Sequence, residues 1–356
     1  MIKTIRDWYH RTLSDPEVVI LSILLLLGLG VVVFLGGMLA PVLAGIVIAF
    51  LLEGVVRILQ RARLPRMPSV VIVFALFLTA LLLVLFGLLP LLSRQLTELI
   101  GELPAMISKG QHLLMALPER YPNFISSDQI AELLTGIRGE IGGLGQRALS
   151  YSLSSLVGLL TLLVYLVLLP LLVFFFLKDK RQILTWVNNY LPRQRGLTNR
   201  VWADVEVQIA NYVRGKFIEV LVIWSVSYLA FIYLGLEYAM TLSLAVGLSV
   251  IIPYIGAVVV TLPIAMIAFF QWGWTNEFFY LMVTYGVIQA LDGNLLVPVL
   301  FSEVVNLHPI AIIVAVLFFG GIWGFWGVFF AIPLATLVQA VLTAWPRRIK
   351  EEAEPG

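Results

Sequence analysis

The sequence predicts an all-α polytopic membrane protein, and three observations support this fold class. Of the 356 residues, 60% are hydrophobic and only 12% are charged, and the mean hydropathy is +0.99. Several apolar runs reach about 20 residues, the length that an α-helix needs to cross a bilayer. The Lys and Arg residues lie between these runs or at their ends. A soluble domain of this size could not bury so much apolar surface, so we expect an integral membrane protein.

Run length predicts the individual spans. The first apolar run is long enough to cross the membrane, which indicates a retained helix rather than a signal peptide. Beyond Gly235 the apolar pieces become shorter, so we expect six to eight transmembrane segments in all. The five full spans are predicted at Val18–Leu35, Leu39–Leu59, Val70–Leu92, Leu153–Leu177 and Phe217–Gly235.

Charge divides the chain into segments and predicts their sidedness. Segment 93–150 carries five Lys and Arg against six acids, whereas 178–216 carries eight against three. Because cytoplasmic loops carry the excess of Lys and Arg, we expect 178–216 and both termini in the cytoplasm, and 93–150 on the periplasmic side. The predicted segments are scaffold spans 1–92, a periplasmic amphipathic helical arm 93–150, a scaffold span 151–177, a basic cytoplasmic connector 178–216, a repeat-containing region 217–346 and a cytoplasmic tail 347–356.

The predicted arm carries two heptad-like apolar seams, which favour a pair of packed helices. Two interpretations stay open, a helical hairpin that packs on itself and a contact between subunits. The seams are Leu92, Leu96, Leu99, Leu103 and Met106, and then Ile130, Leu134, Ile137, Ile141, Leu144 and Ala148.

The repeat-containing region holds two apolar pairs that are broken at corresponding places. Ala239–Phe270 is interrupted at Pro253–Gly256, and Pro309–Trp345 is interrupted at Gly320–Gly327. Short, interrupted segments in two matching halves indicate a transporter binding site, so we interpret 217–346 as a transport region with two re-entrant hairpins. Two kinked full spans are the alternative. The residues expected to form the hairpins and a gate are Pro253, Tyr254, Gly256, Pro263, Pro298, Pro309, Gly320, Gly321, Gly324 and Gly327.

A polar patch interrupts the apolar sequence of this region. Asp292 and Asn294 lie within a run long enough to span, where a buried carboxylate costs several kcal/mol unless it is paired, hydrated or protonated. Region 217–346 has no Lys or Arg, so Asp292 requires Arg214 or Lys216, a cation or a proton. We consider two interpretations: residues that couple substrate movement to H⁺ or Na⁺, and an interhelical pair that fixes packing.

Further candidate residues flank this patch. Glu303 and His308 lie in the turn between two prolines and predict either a hydrated loop or a gate in which His308 titrates near neutral pH. Glu219 follows Lys216 at the i,i+3 spacing of a local ion pair. The candidates for ion coupling are Gln289, Asp292, Asn294, Glu303 and His308, and those for the cytoplasmic mouth are Arg214, Lys216 and Glu219.

Motifs for enzymatic chemistry are absent from the sequence. Gly215-Lys216 lacks the spaced glycine and the following Ser or Thr of a P-loop, and no HExxH or GxSxG motif occurs. The chain has no Cys and only three scattered His, so we expect neither a metal site nor a cofactor. The basic charge is explained by membrane topology rather than by nucleic acid. A secondary transporter or a channel is favoured over an enzyme.

Several motifs of the chain are similar to those of the PerM-type permeases of the autoinducer-2 exporter-like (AI-2E) family, and they extend nearly from end to end. They are SDPE at Ser14–Glu17, SLVGLLTLLVYLVLLPLLVFFFLKDK at Ser155–Lys180, NYVRGK at Asn211–Lys216, PYIGAVVVTLP at Pro253–Pro263, QALDGNLLVPVLFSEVVNLHP at Gln289–Pro309 and GFWGVFFAIPLAT at Gly324–Thr336.

The resemblance implies a secondary transporter in the bacterial inner membrane that forms a homo-oligomer. Members are associated with export of small molecules such as autoinducer-2, or with sodium/proton antiport. The expected partners are therefore the lipid bilayer and a small-molecule substrate or cation. A channel-like pore, an ion antiporter without organic substrate, and a membrane scaffold that acts through the outer arm remain the alternatives.

Overall fold

The computed structural model describes residues 16–115, 155–190, 196–301 and 307–344. All secondary-structure elements in these residues are helical, which confirms the all-α prediction. Six of the described helices are long and apolar enough to cross a membrane, and shorter apolar helices accompany them. The protein is therefore a multi-pass membrane protein, as predicted. The chain forms two compact units, Pro65–Phe174 and the remainder, and each is described by itself.

The unit Pro65–Phe174 is a long helical stretch followed by most of another helix. Helix α2 (Arg66–Leu83) continues through a π-helical turn (Val84–Leu88) into α3 (Leu89–Met115) without a loop. The predicted third span therefore runs directly into the predicted arm. The second seam of that arm lies outside the described residues. Helix α4 (Ser155–Lys178) contributes Phe174, whose ring lies 5.1 Å from that of Phe74.

The other unit begins with one long helix, α1 (Pro16–Arg61), where two spans were predicted. Residues 36–40 between those spans have no polar side chain that would favour a hydrated turn, and Pro41 removes only one helical hydrogen bond. At ~1.5 Å per residue a helix of this length extends roughly 69 Å, against a bilayer core of ~30 Å. The two spans predicted at Val18–Leu35 and Leu39–Leu59 therefore lie in one continuous helix, whose two ends are far apart.

The basic connector folds into a short helix and the first half of a long one. Helix α5 (Lys180–Tyr190) starts one residue after α4 ends, and Lys180 Nζ lies 3.4 Å from Glu53 Oε1 of α1. Helix α6 (Gly196–Leu234) then runs 39 residues without interruption. The fifth span, predicted to begin at Phe217, is therefore the second half of a helix that starts in the connector.

The first predicted hairpin is present as two helices, α7 (Ala239–Ser249) and α8 (Ile255–Trp272). The chain turns between them, and Tyr254 adopts a positive φ of 64°. Gly256 lies directly against the carbonyl group of Ser249, so closely that a Cβ would overlap the carbonyl oxygen. A residue without a side chain is therefore required where the second arm passes the end of the first.

The polar patch follows the next helix. Helix α9 (Asn276–Leu291) is continuous with a π-helical turn (Asp292–Leu296) and with the short helix α10 (Val297–Phe301). The extra residue of a π turn changes the direction in which the following side chains point, and such turns are frequent at functional sites. The helix therefore continues past Gly293 and Pro298, with a π turn at Asp292–Leu296 and no break.

The second predicted hairpin has the same kind of backbone break as the first. Helix α11 (Pro309–Phe329) is interrupted at Gly324, where φ is 59° and ψ is −135°, and α12 (Ala331–Ala344) follows. Gly327 lies against the carbonyl group of Phe319, where a Cβ would again overlap backbone. Both halves of the region therefore contain a sharp break and a glycine that touches a carbonyl group.

Helix α6 is the element on which the described helices of this unit pack. At Gly247 of α7, a Cβ would lie 2.7 Å from Trp224 Cβ and 3.0 Å from the Val220 carbonyl oxygen, so the two helices approach closely. Closer to the start of α6, an apolar cluster joins this helix to α10, α11 and α12. The buried members of this cluster are Tyr212, Val213, Phe301, Ile312, Ala315, Val316, Ala331 and Ile332.

We expect Gly256→Ala and Gly327→Ala each to destabilise the protein by about 2 kcal/mol or more, because overpacking against a fixed backbone forces the helices apart. The thermal unfolding midpoint of the purified protein in detergent measures this. The matched control is Gly286→Ala in α9, where a Cβ meets nothing within 4 Å. Equal midpoints for all three variants would contradict the close backbone approach.

Candidate functional site

A cavity of about 640 Å³ lies where α6, the break after α7, the π turn and the arms of the second hairpin meet. Most of its lining is apolar. The lining residues with polar side-chain groups are Tyr212, Lys216, Glu219, Tyr254, Gln289 and Asp292. The cavity thus combines an apolar wall with a small number of charged and polar groups, which is the usual composition of a binding site.

A buried ion pair forms one side of the cavity. Lys216 and Glu219 lie one turn apart on α6, and their side chains are 5% and 2% exposed. The ammonium Nζ lies 2.6 Å from Glu219 Oε2 and donates a hydrogen bond of 2.8 Å to the Val250 carbonyl oxygen. Val250 follows the last residue of α7, so Lys216 also meets the negative end of that helix dipole. The ammonium is therefore satisfied within the protein.

Asp292 lines the same cavity, but its carboxylate is not bound in this way. The residue is 8% exposed, and its buried Oδ1 has no hydrogen-bond partner among the residues that the structure describes. Lys216 acts on it electrostatically, but the two groups do not form an ion pair. Among the described lining residues one ammonium thus faces two carboxylates. With all three groups ionised, the cavity carries one excess negative charge.

Two further polar atoms of the lining lack partners. Tyr212 Oη and Gln289 Nε2 are buried and make no hydrogen bond within the described protein. An unsatisfied buried polar group costs about 1–3 kcal/mol, so such groups are rare and call for an explanation. Their position around one cavity, together with Asp292 Oδ1, indicates a place where a polar ligand or water is stabilised.

The π turn separates the two polar residues that the sequence places side by side. Asp292 turns into the cavity, whereas Asn294 is exposed and does not line it. The Asn294 side-chain amide donates a hydrogen bond of 2.8 Å to the carbonyl oxygen of Ala290, one turn earlier. Asn294 therefore satisfies a backbone group of its own helix, and of these two residues only Asp292 lines the cavity.

The two hairpins contribute to the cavity in different ways. Pro253 and Tyr254, at the break of the first hairpin, line it, and so does Pro298 after the π turn. The second hairpin contributes Ile312 and Ile332 from its arms instead. The glycines of its break, Gly320, Gly321, Gly324 and Gly327, are not among the lining residues of this cavity. Pro263 is inside α8 and Pro309 begins α11, both outside the lining.

The remaining candidates occupy other positions. His308 caps α11: its Nδ1 accepts a hydrogen bond of 3.3 Å from the Ile310 backbone N–H, and the residue is exposed. Arg214 lies over the ring of Phe50, 4.8 Å from its centroid, and not in the cavity. Glu303 lies outside the described residues. Of the residues predicted for ion coupling, Asp292 and Gln289 are the two that the described cavity brings together.

Lys216 and Glu219 line the same cavity as Asp292, and Lys216 is only 4% exposed. Both were predicted at a cytoplasmic mouth, and Lys216 was also one of the two cations expected near Asp292, because region 217–346 has no Lys or Arg. Tyr212, one turn before Lys216, was not considered.

We expect the Lys216–Glu219 pair to show strong coupling in a double-mutant cycle. Lys216→Met or Glu219→Gln alone leaves one charge buried without its partner and should destabilise the protein by about 3–5 kcal/mol. The double variant removes both charges and should recover much of this loss. Unfolding midpoints of the four proteins in detergent measure the coupling, and additive losses would show that the pair is not buried as described.

Comparison with known proteins agrees with the resemblance seen in the sequence. Residues 21–347 match the family described as AI-2E family transporter. The chain is 48% identical over 346 residues to the Escherichia coli K12 protein named "Putative permease PerM", which covers 97% of this chain and 98% of that protein. It is 27% identical over 330 residues to the Bacillus subtilis protein named "Putative transport protein YueF", which covers 90% and 87% of the two chains.

The family match covers nearly the whole chain, and the similarity to these relatives extends over the helices that build the cavity. A multi-pass helical protein with a cavity lined by ionisable side chains is consistent with a permease. The chain belongs to the AI-2E transporter family.

Proposed function

We propose that this protein is a secondary transporter of the inner membrane that exports a small molecule by alternating access, coupled to H⁺ or Na⁺. The observation that carries the proposal is the buried carboxylate of Asp292, whose Oδ1 has no hydrogen-bond partner among the described residues, in a cavity where two carboxyl groups accompany one ammonium. Intramembrane carboxylates that face a cavity are characteristic of ion and proton pathways. Both termini are cytoplasmic in this proposal, and the protein acts as a transporter rather than as an enzyme.

The charge of the cavity supplies a physical basis for coupling. An ionised carboxylate in a largely apolar cavity is costly, and a bound cation or proton removes much of that cost. Conformations that close the cavity around a bare Asp292 are therefore disfavoured relative to conformations in which the carboxylate is neutralised. Movement between access states is then linked to occupation by the coupling ion.

The two broken hairpins supply the elements that can move. Lys216 joins α6 to the end of α7 through the Val250 carbonyl, so the break of the first hairpin is linked to the charged site. Gly324 supplies the corresponding break in the second hairpin. Motion of 217–346 against the scaffold spans would open the cavity to either side, as in transporters built from repeats with discontinuous helices.

An ion antiporter or channel-like pore without an organic substrate is the second candidate. The excess negative charge of the cavity favours it, because a small cation alone could satisfy Asp292. Saturable movement of an organic solute driven by an ion gradient would separate a transporter from both alternatives.

We expect Asp292→Asn to lower gradient-driven ion flux about tenfold or more in proteoliposomes under imposed pH and Na⁺ gradients, which corresponds to a rise of at least ~1.4 kcal/mol in the effective barrier. Asparagine keeps the shape and removes the charge, so the variant should still fold. Flux is followed by a pH-sensitive dye inside the vesicles and by Na⁺ uptake.

The matched control is Glu277→Gln, the same chemical change on the exposed first turn of α9. Its flux should equal that of the wild type. If Asp292→Asn folds and transports like the control, Asp292 is a packing residue and the proposed coupling site is wrong.

A further inference from the structure

We propose that the cavity binds a small organic cation, with the ammonium group of the ligand on the carboxylate of Asp292. This inference rests on the proposed transport function and specifies its substrate class. The ligand is a monovalent amine that also carries an oxygen able to accept a hydrogen bond.

The sign of the ligand follows from the charges that face the cavity. Lys216 contributes the one ammonium of the described lining, and that ammonium is bound by Glu219 and the Val250 carbonyl. Residues 302–306, which adjoin the lining in sequence, contain no Lys, Arg or His. An anion would therefore add to an existing negative charge without a free cation to receive it, whereas a cation neutralises Asp292.

The cavity wall already accommodates an ammonium group. Lys216 Nζ lies over the ring of Phe301, 5.1 Å from its centroid, in the geometry of a cation–π contact. The Tyr212 ring packs against Phe301 with 5.8 Å between centroids, and Tyr254 adds a third aromatic side chain to the lining. Aromatic faces beside an unpaired carboxylate are the recognition elements of organic ammonium ligands.

The size and the remaining polar atoms favour an organic molecule over a bare ion. The volume of about 640 Å³ is within the range of about 300–1,000 Å³ that small-molecule sites occupy. A metal cation would require several oxygen ligands around it. The cavity that Asp292 lines instead offers Gln289 Nε2, a hydrogen-bond donor without a partner among the described residues. That donor would be satisfied by a hydroxyl or carbonyl oxygen of the ligand.

The test compares probes that share a shape and differ in charge. One series is benzylammonium, benzyl alcohol and benzoate, and the other is 3-hydroxypropylammonium, 1,3-propanediol and 3-hydroxypropionate. Binding to the full-length protein in lipid nanodiscs is measured as the concentration dependence of the unfolding midpoint, at constant ionic strength and pH. The same titrations are made with Asp292→Asn and with Glu277→Gln.

We expect the ammonium probe of each series to bind at least about tenfold more tightly than its neutral and anionic counterparts. This preference should disappear in Asp292→Asn and persist in Glu277→Gln. Equal responses to the three charges, a preference for the carboxylate probe, or no response to any probe in the wild type would each overturn the inference.

Flux under pH and Na⁺ gradients is measured on the same preparation, so that the two proposals can fail separately. Wild-type flux that depends on Asp292, without any preference for the ammonium probes, would support cation-coupled transport and contradict an organic cation as the ligand. A preference for ammonium probes without gradient-driven flux would instead remove the coupling.

Discussion

The buried pair of Lys216 and Glu219 is the interaction on which the charged site depends. Its ammonium is bound by a carboxylate of the same helix and by the carbonyl that ends α7, so one side chain ties the center of α6 to the break of the first hairpin. The Lys216 ammonium is already bound by Glu219 and the Val250 carbonyl and does not pair with Asp292. The buried Oδ1 of Asp292 therefore has no hydrogen-bond partner among the described residues. With both carboxylates ionised, the excess negative charge of the cavity is thus a consequence of the contacts that bind the Lys216 ammonium.

The backbone geometry of the hairpins is set by a second constraint, the contact of a glycine with a carbonyl group. Gly256 lies on Ser249 and Gly327 lies on Phe319, and in both places a Cβ would occupy the position of backbone atoms. The two halves therefore share this contact of a glycine with a carbonyl group, although the sequences at their breaks differ. Only the first break reaches the cavity, which makes the two hairpins unequal in the site.

Parts of this arrangement could be predicted and others could not. The breaks at Pro253–Gly256 and near Gly324 were predicted, because glycine and proline within short apolar runs disfavour a continuous helix. That only Asp292, and not Asn294, lines the cavity could not be predicted, since a π turn changes the angle between neighbouring side chains and leaves no mark in sequence spacing. The single helix α1 was missed because run length gives the number of spans but not whether two neighbouring spans share one helix.

The sequence by itself determined the class of the protein, the helical composition and the place of the polar patch, because these follow from run length, charge and the lack of Lys and Arg in 217–346. Only the tertiary structure decided that Lys216 and Glu219 face Asp292 across one cavity. The physical reason is that α6 runs unbroken from the connector into the membrane region, which carries a residue expected at the surface into the interior. Its burial depends on helices that are distant in the chain, and no local pattern encodes that contact.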